Sequence, residues 1–272
     1  MVVDRSDRPC LLCGRRFRGR TFLCRACADQ YRGKPVPTEI RQRFYEQIDR
    51  VYPDWSNTYG EYNPPRGLLA FVETLSRTAR VLEIGAGGGF TLDALRRMGF
   101  TRLTGSDLTD STLIEMRQRL PEVSLIGADA EALPFAEDSF DLLLSSDVVE
   151  HLPDLERHVS EAARVLSSGG RYLIKTPNRL AATPYYRLRG LYDSYFWHPS
   201  MSSPGEMRAL LERHGFDVRF LPAPRLTDAQ ARKLPIKRLR PLAPRVPLSW
   251  LPVWFRPHLE VVATLREVEE IG

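Results

Sequence analysis

Apolar residues first recur at helical spacing between residues 38 and 52, where Ile40, Phe44, Ile48 and Val51 fall on one face. A loop holding Pro53, Asn57, Gly60, Asn63, Pro64 and Pro65 follows. Residues 67–75 then read as a second helix, with Leu68, Leu69, Phe71, Val72 and Leu75 to bury. From residue 80 the pattern changes to short apolar runs alternating with amphipathic stretches. The runs at 80–84, 102–106, 123–128, 141–146, 170–176, 216–221 and 258–266 predict strands. Helices are predicted at 89–98, 110–119, 154–166 and 204–214; in the third, Leu155, Val159, Ala162 and Leu166 form the inner face. Strands alternating with helices imply βαβ units: an α/β fold whose mainly parallel sheet carries helices on both faces.

The cysteines add a second unit. All four lie near the N-terminus, as Cys10-Leu-Leu-Cys13 and, ten residues on, Cys24-Arg-Ala-Cys27. Two CxxC pairs let two tight turns offer four sulfurs to one tetrahedral ion. Gly14 suits the left-handed backbone of such a turn. This Arg-rich stretch has too few apolar residues for a core of its own, so bound metal would supply its folding energy. Residues 1–33 are therefore read as a zinc-binding module resembling a zinc ribbon, with Cys10, Cys13, Cys24 and Cys27 as ligands of a structural Zn2+. Residues 34–78 form a helical linker or cap after the turn-rich Gly33–Pro37, and 79–272 the main domain.

The strongest local signal is Val81-Leu82-Glu83-Ile84-Gly85-Ala86-Gly87-Gly88-Gly89-Phe90. A buried strand runs into a glycine-rich turn that opens a helix, which is the Rossmann arrangement. The spacing is GxGxG, with Phe90 where a nicotinamide-type fingerprint has its third glycine. Eighteen residues past Gly89, the second strand ends at Asp107, placed to accept ribose hydroxyls. With Gly127-Ala128-Asp129-Ala130 and Phe140-Asp141-Leu142-Leu143-Leu144-Ser145-Ser146, these segments resemble class I S-adenosylmethionine-dependent methyltransferases, in the branch of quinone, sterol and small-molecule enzymes. The resemblance covers about residues 78–221 and implies a seven-stranded Rossmann-like sheet. It further implies that Glu83, Gly85 and Gly87 line the amino-acid end of the cofactor and that Asp107 binds its ribose. Leu108 would flank adenine, Asp129 would accept from the adenine amino group, Ala130 would offer its N–H, and Ser146 would lie beside the methionine portion. Glu150-His151 also matches the branch, which makes His151 the candidate catalytic base. No (Asn/Asp)-Pro-Pro-(Tyr/Phe) segment follows the fourth strand, which weighs against planar amide or adenine nitrogens as acceptors.

Two insertions would cover the acceptor. Residues 178–203 carry Tyr185, Tyr186, Tyr192, Tyr195, Phe196, Trp197 and His198, and residues 222–257 carry Trp250, Trp254, Phe255 and a basic cluster, Arg232-Lys233…Lys237-Arg238…Arg240. Long loops of this kind are commonly lids, and their aromatics would wall an apolar or lipid-linked acceptor; the alternative is a satellite core beneath a loop. The net charge of +5 is uneven, with a surplus of six basic residues in 1–50 and another six in 225–245. These basic ends keep a second reading open, an rRNA or tRNA methyltransferase gripping RNA through Arg15, Arg16, Arg18, Arg20 and Arg25. No run approaches the 18 apolar residues of a membrane span, and Met1–Arg5 begins no signal-peptide core; a cytoplasmic location is expected.

Overall fold

The computed structural model describes residues 7–52, 65–222 and 248–267, with residues 225, 226, 231, 238, 240–242 and 245 between them. The loop at 53–64, the extreme N-terminus and Arg232, Lys233 and Lys237 of the basic cluster lie outside the described residues.

Seven strands form one sheet: β3 (Arg80–Ile84), β4 (Arg102–Asp107), β5 (Ser124–Gly127), β6 (Phe140–Ser146), β7 (Leu166–Pro177), β8 (Phe216–Phe220) and β9 (His258–Leu265). Their spatial order is β5-β4-β3-β6-β7-β9-β8. The first four contacts in that order are parallel, while β9 runs antiparallel to both β7 and β8. This is the mainly parallel α/β sheet expected from the alternating pattern, with the seven strands that the resemblance implies. The middle strands are buried on both faces, which explains why β6 reads as a continuous apolar run rather than an alternating one.

Alternate residues of each strand feed two cores. Leu82, Ile84, Leu143 and Ile174 pack on one face with α6 (Leu155–Val165) and α9 (Pro204–Arg213). Val81, Leu142, Leu144 and Leu173 pack on the other with α3 (Arg66–Val72), α4 (Phe90–Arg97) and α5 (Asp110–Arg119). Ser203 opens α9 through a capping box with Glu206 and Pro204 at the first helical position. β7 starts four residues before the predicted boundary. It pairs Leu166 with Phe140 and Arg171 with Leu142 across a bulge at Gly169–Gly170, so the predicted glycine turn is an irregularity within one strand.

The N-terminal module is a hairpin, β1 (Asp7–Pro9) and β2 (Arg16–Arg18), followed by α1 (Arg25–Gln30). Its apolar residues do not stand alone. Leu11, Leu23 and Ala28 share a third buried cluster with Phe44 and Ile48 of α2 (Thr38–Val51) and with Phe196. The 178–203 segment, expected as a loop, is instead helical: α7 (Arg179–Arg189) is capped by Asn178 and α8 spans Ser194–Trp197. Among the described residues, no helix is long and apolar enough to cross a membrane.

Candidate active site

The parallel strands all end on one edge of the sheet, and the loops leaving β3, β4, β5 and β6 enclose a cleft of about 210 Å³. Gly85 and Gly87 form its floor at the turn after β3. Both adopt left-handed φ, +66° and +51°, which a side chain would strain. A Cβ on Gly85 would come within 2.5 Å of the Val148 side chain, whereas the space beside Gly87 is open. The turn is thus built from backbone that something else can approach.

Asp107, at the tip of β4, ties that turn in place. One oxygen accepts from Gly87 N–H at 3.0 Å and the other from Thr109 N–H at 3.2 Å. Leu108, Thr109 and Thr112 continue the wall, and Ala128, Asp129 and Ala130 close it beyond β5. Of the eight cofactor positions expected from the sequence, Gly85, Gly87, Asp107, Leu108, Asp129 and Ala130 line the cleft. Ser146 does not line it; it pairs with Lys175 at the end of β6. Glu83 is buried beneath the turn, 3% exposed, where it accepts from the Thr91 hydroxyl and the Leu92 N–H at the start of α4. Burial raises its pKa to about 8, and its Oε2 has no hydrogen-bond partner.

Two wall residues come from an element outside the signature. Arg41 and Tyr45 lie one turn apart on α2, beside Phe44 and Ile48, which are buried in the third core; Tyr45 packs against that core as well. The Arg41 guanidinium meets Asp129 at 2.9 Å, and Thr38 donates to the same carboxylate at 2.9 Å. Asp129, expected to receive an adenine amino group, is therefore already held by α2. Tyr45 reaches across to His151, with 2.8 Å between its hydroxyl and Nδ1.

His151 lies in the 3-10 turn Val149–His151 after β6. Its Nδ1 is also 2.5 Å from the Trp197 carbonyl. A carbonyl can only accept, so Nδ1 carries the proton and Nε2 the lone pair. Burial lowers the imidazole pKa to about 4, leaving the ring neutral and weakly basic near pH 7. Beyond it, Lys175 and Asp147 form a buried pair at 2.5 Å, and Asp147 itself holds a left-handed φ of +57°.

The aromatic segment divides in two. Tyr186, Trp197 and His198 pack toward His151: the rings of Trp197 and His198 are 4.2 Å apart, and those of His198 and His151 4.5 Å apart. Phe196, Tyr192 and Tyr195 turn away. They pack into the third core, where the hydroxyls of Tyr192 and Tyr195 donate to Leu23 and Ala28 carbonyls of the module. For those three the satellite-core reading holds, not the acceptor wall. Between the two groups, the buried Asp193 carboxylate accepts from Phe22 N–H at 2.7 Å and Leu23 N–H at 3.1 Å. No pattern in the sequence marked Arg41, Tyr45 or Asp193, because each matters only through a partner far along the chain.

The sulfurs of Cys10, Cys13, Cys24 and Cys27 lie within 4.8 Å of one another. The chain folds Cys10–Cys13 into a turn closed by Gly14 N–H on the Cys10 carbonyl at 2.9 Å. Cys13 and Cys24 sulfurs are 3.8 Å apart, the separation of about 3.8 Å that a tetrahedral ion bound at 2.3 Å to each sulfur would set. The four thus form a cluster that suggests a metal-binding module.

Comparison with known proteins agrees with this geometry. Residues 82–174 match the family model described as a methyltransferase domain. A Mycolicibacterium smegmatis protein named a probable S-adenosylmethionine-dependent methyltransferase is 35% identical over 138 residues, 51% of this chain and 52% of that one. The ubiquinone biosynthesis O-methyltransferase of Brucella anthropi is 26% identical over 207 residues, 65% of this chain and 83% of that one. Among solved structures, the YcgJ protein of Bacillus subtilis superimposes with a TM-score of 0.55 at 23% identity, over 75% of this chain and 99% of its own. Residues 82–174 thus match a methyltransferase domain, and the sheet that holds them has the fold of the YcgJ structure. The chain spans about half the length of the mycobacterial relatives it matches, 52% and 57%.

Proposed function

We propose that this chain transfers a methyl group from S-adenosylmethionine to a small-molecule or lipid-linked acceptor, such as the hydroxyl of a quinol-like ring. The observation that carries the reading is the meeting of the open Gly85–Gly87 turn, the Asp107 carboxylate and the Tyr45–His151 wall around one strand-edge cleft. When bound, S-adenosylmethionine would supply an electrophilic methyl on a sulfonium. The protein's part is alignment: the turn and Asp107 would fix one end, and Tyr45 and His151 would orient the acceptor and exclude water. His151 Nε2 would take a proton only weakly, given its buried neutral ring, so positioning outweighs base catalysis. The names of the ubiquinone-biosynthesis O-methyltransferases among the relatives support an oxygen acceptor.

We also infer that the four cysteines hold a structural zinc ion, the usual occupant of a tetrahedral thiolate set. Under the alternative RNA reading, Arg16 and Arg25 remain exposed, the first paired with Asp7 and the second lying over the Tyr192 ring. Calorimetry with S-adenosylmethionine tests the main reading. Asp107→Ala should weaken binding about ten- to a hundredfold, for loss of charge-assisted hydrogen bonds worth roughly 1.5–3 kcal/mol. No binding by the unaltered protein would sink the assignment.

A further inference from the structure

Glu150, His151 and His198 converge where the turn after β6 meets the end of α8. His151 Nε2 and His198 Nε2 each lie 3.9 Å from Glu150 Oε1, and ligand atoms of all three residues fall within 4.8 Å of one another. At 3.9 Å none of these atoms is hydrogen-bonded to another. The far side of each residue is nonetheless fixed. Glu150 Oε2 accepts from the Thr176 hydroxyl at 2.8 Å, His151 Nδ1 faces the Trp197 carbonyl, and His198 Nδ1 lies 2.9 Å from the Tyr186 hydroxyl. Remote ring nitrogens held by carbonyl or hydroxyl partners are the arrangement that orients imidazoles toward a metal.

Charge points the same way. Glu150 is 1% exposed. Among the described residues its ion-pair neighbours are these two imidazoles alone, while the nearby Lys175 ammonium is engaged by Asp147. A buried carboxylate without a close cation is costly, and a divalent ion between the three groups would remove that cost.

We propose that Glu150, His151 and His198 form a binding site for a divalent transition-metal ion, separate from the four-cysteine cluster. Two imidazole nitrogens and one carboxylate oxygen suit Zn2+, Fe2+, Mn2+ or Co2+. Bonds of 2.0–2.2 Å bring such ligands to roughly 3.0–3.5 Å from one another, a contraction of under about 1 Å for the two 3.9 Å separations and of under about 2 Å for any pair within 4.8 Å. Three protein ligands leave positions open to water or to oxygen ligands. His151 is the member that reaches the cleft wall, so an acceptor's hydroxyl or carboxylate oxygen would enter there; that last step rests on the methyl-transfer reading, whereas metal binding does not.

Manganese separates the two metal centres, because it favours oxygen and nitrogen over thiolate. Mn2+ titrated into the zinc-loaded protein, with free ion read by electron paramagnetic resonance, should show one bound ion per chain. His198→Ala and Glu150→Gln should each weaken that binding at least about tenfold, and Tyr186→Phe severalfold, as expected for ligand and outer partner. Parallel calorimetry with S-adenosylhomocysteine reports whether each variant is folded. Were the ligand variants to misfold, anomalous scattering from Mn2+-soaked crystals of the unaltered protein decides, with a peak between the three residues expected. Absence of that peak, no Mn2+ binding below millimolar concentration, or binding indifferent to folded His198→Ala and Glu150→Gln would overturn the proposal. Bound Mn2+ without cofactor binding would overturn the reaction and leave the metal site standing.

Discussion

Glu83 illustrates how a single buried group ties stability to pH. Its carboxyl sits inside β3, and burial raises the pKa to about 8 against the weaker pull of Thr91 and Leu92. An unfolded glutamate releases its proton near pH 4.3. Between roughly pH 4.5 and 8 the folded chain therefore holds a proton that the unfolded chain has lost, and stability falls as pH rises through that window. Glu83→Gln removes this dependence. The melting temperature of the unaltered protein, relative to the variant, should drop by at least about 2–4 °C from pH 5 to pH 8, the shift for ~1 kcal/mol in a domain of this size. A constant difference across that range would mean that Glu83 stays ionised when folded. The sequence placed Glu83 beside the glycine turn, but it carried no sign that the carboxyl points under α4 instead of into the cleft. The direction of a strand side chain depends on its register with neighbouring strands, here Gly105 and Leu144, which only the folded sheet sets.

At the scale of elements, the strands were legible because buried parallel strands write themselves as short apolar runs, as at 81–84 and 142–144. The 178–203 segment was not. Pro184 sits within α7, which has no buried residue, so no apolar stripe at helical spacing marked that helix. Its order comes from partners elsewhere in the chain. Asp193, between α7 and α8, grips the segment between β2 and α1 through the N–H groups of Phe22 and Leu23. Asp193→Ala would leave two N–H groups without their acceptor, at about 1–3 kcal/mol for each buried donor. The melting temperature should fall by several degrees, at about 2–4 °C per kcal/mol. Asp193→Asn, which keeps an accepting oxygen, should fall less by differential scanning calorimetry. Equal losses in the two variants would argue against the acceptor role.

Across the whole molecule, the N-terminal module and the methyltransferase domain are not independent. A reading from the sequence alone separates them, because the cysteines and the glycine turn lie more than fifty residues apart and share no pattern. In the structure, Cys10 and Cys24 belong to the same buried cluster as Phe44 of α2 and Phe196 of α8. The adjoining stripe of α2 supplies Arg41 and Tyr45 to the cleft. Loss of the metal through Cys10→Ser or Cys24→Ser should therefore do more than unfold the hairpin. Hydrogen exchange should rise in α1, α2 and α8 while β3, β4 and β6 stay protected. Affinity for S-adenosylhomocysteine should fall about tenfold, a loss of ~1.4 kcal/mol. Unchanged affinity in a variant shown to lack zinc would mean that α2 holds its place without the module.

The strand order carries a consequence for synthesis. β9 lies between β7 and β8, with Leu259, Val261 and Ala263 fully buried. A ribosome releases residues 216–220 long before 258–265, so β8 waits without a neighbour while β7 keeps one edge open. The four strands from β5 to β6 and their helices can assemble earlier, because every pairing among them joins segments already made. The nascent chain thus presents an apolar edge, the kind that recruits chaperones or another strand, until the final strand slides between its two partners. A ribosome that stalled or a protease that cut before residue 258 would leave that edge permanently open, giving a product prone to aggregation although its glycine turn and Asp107 are already in place.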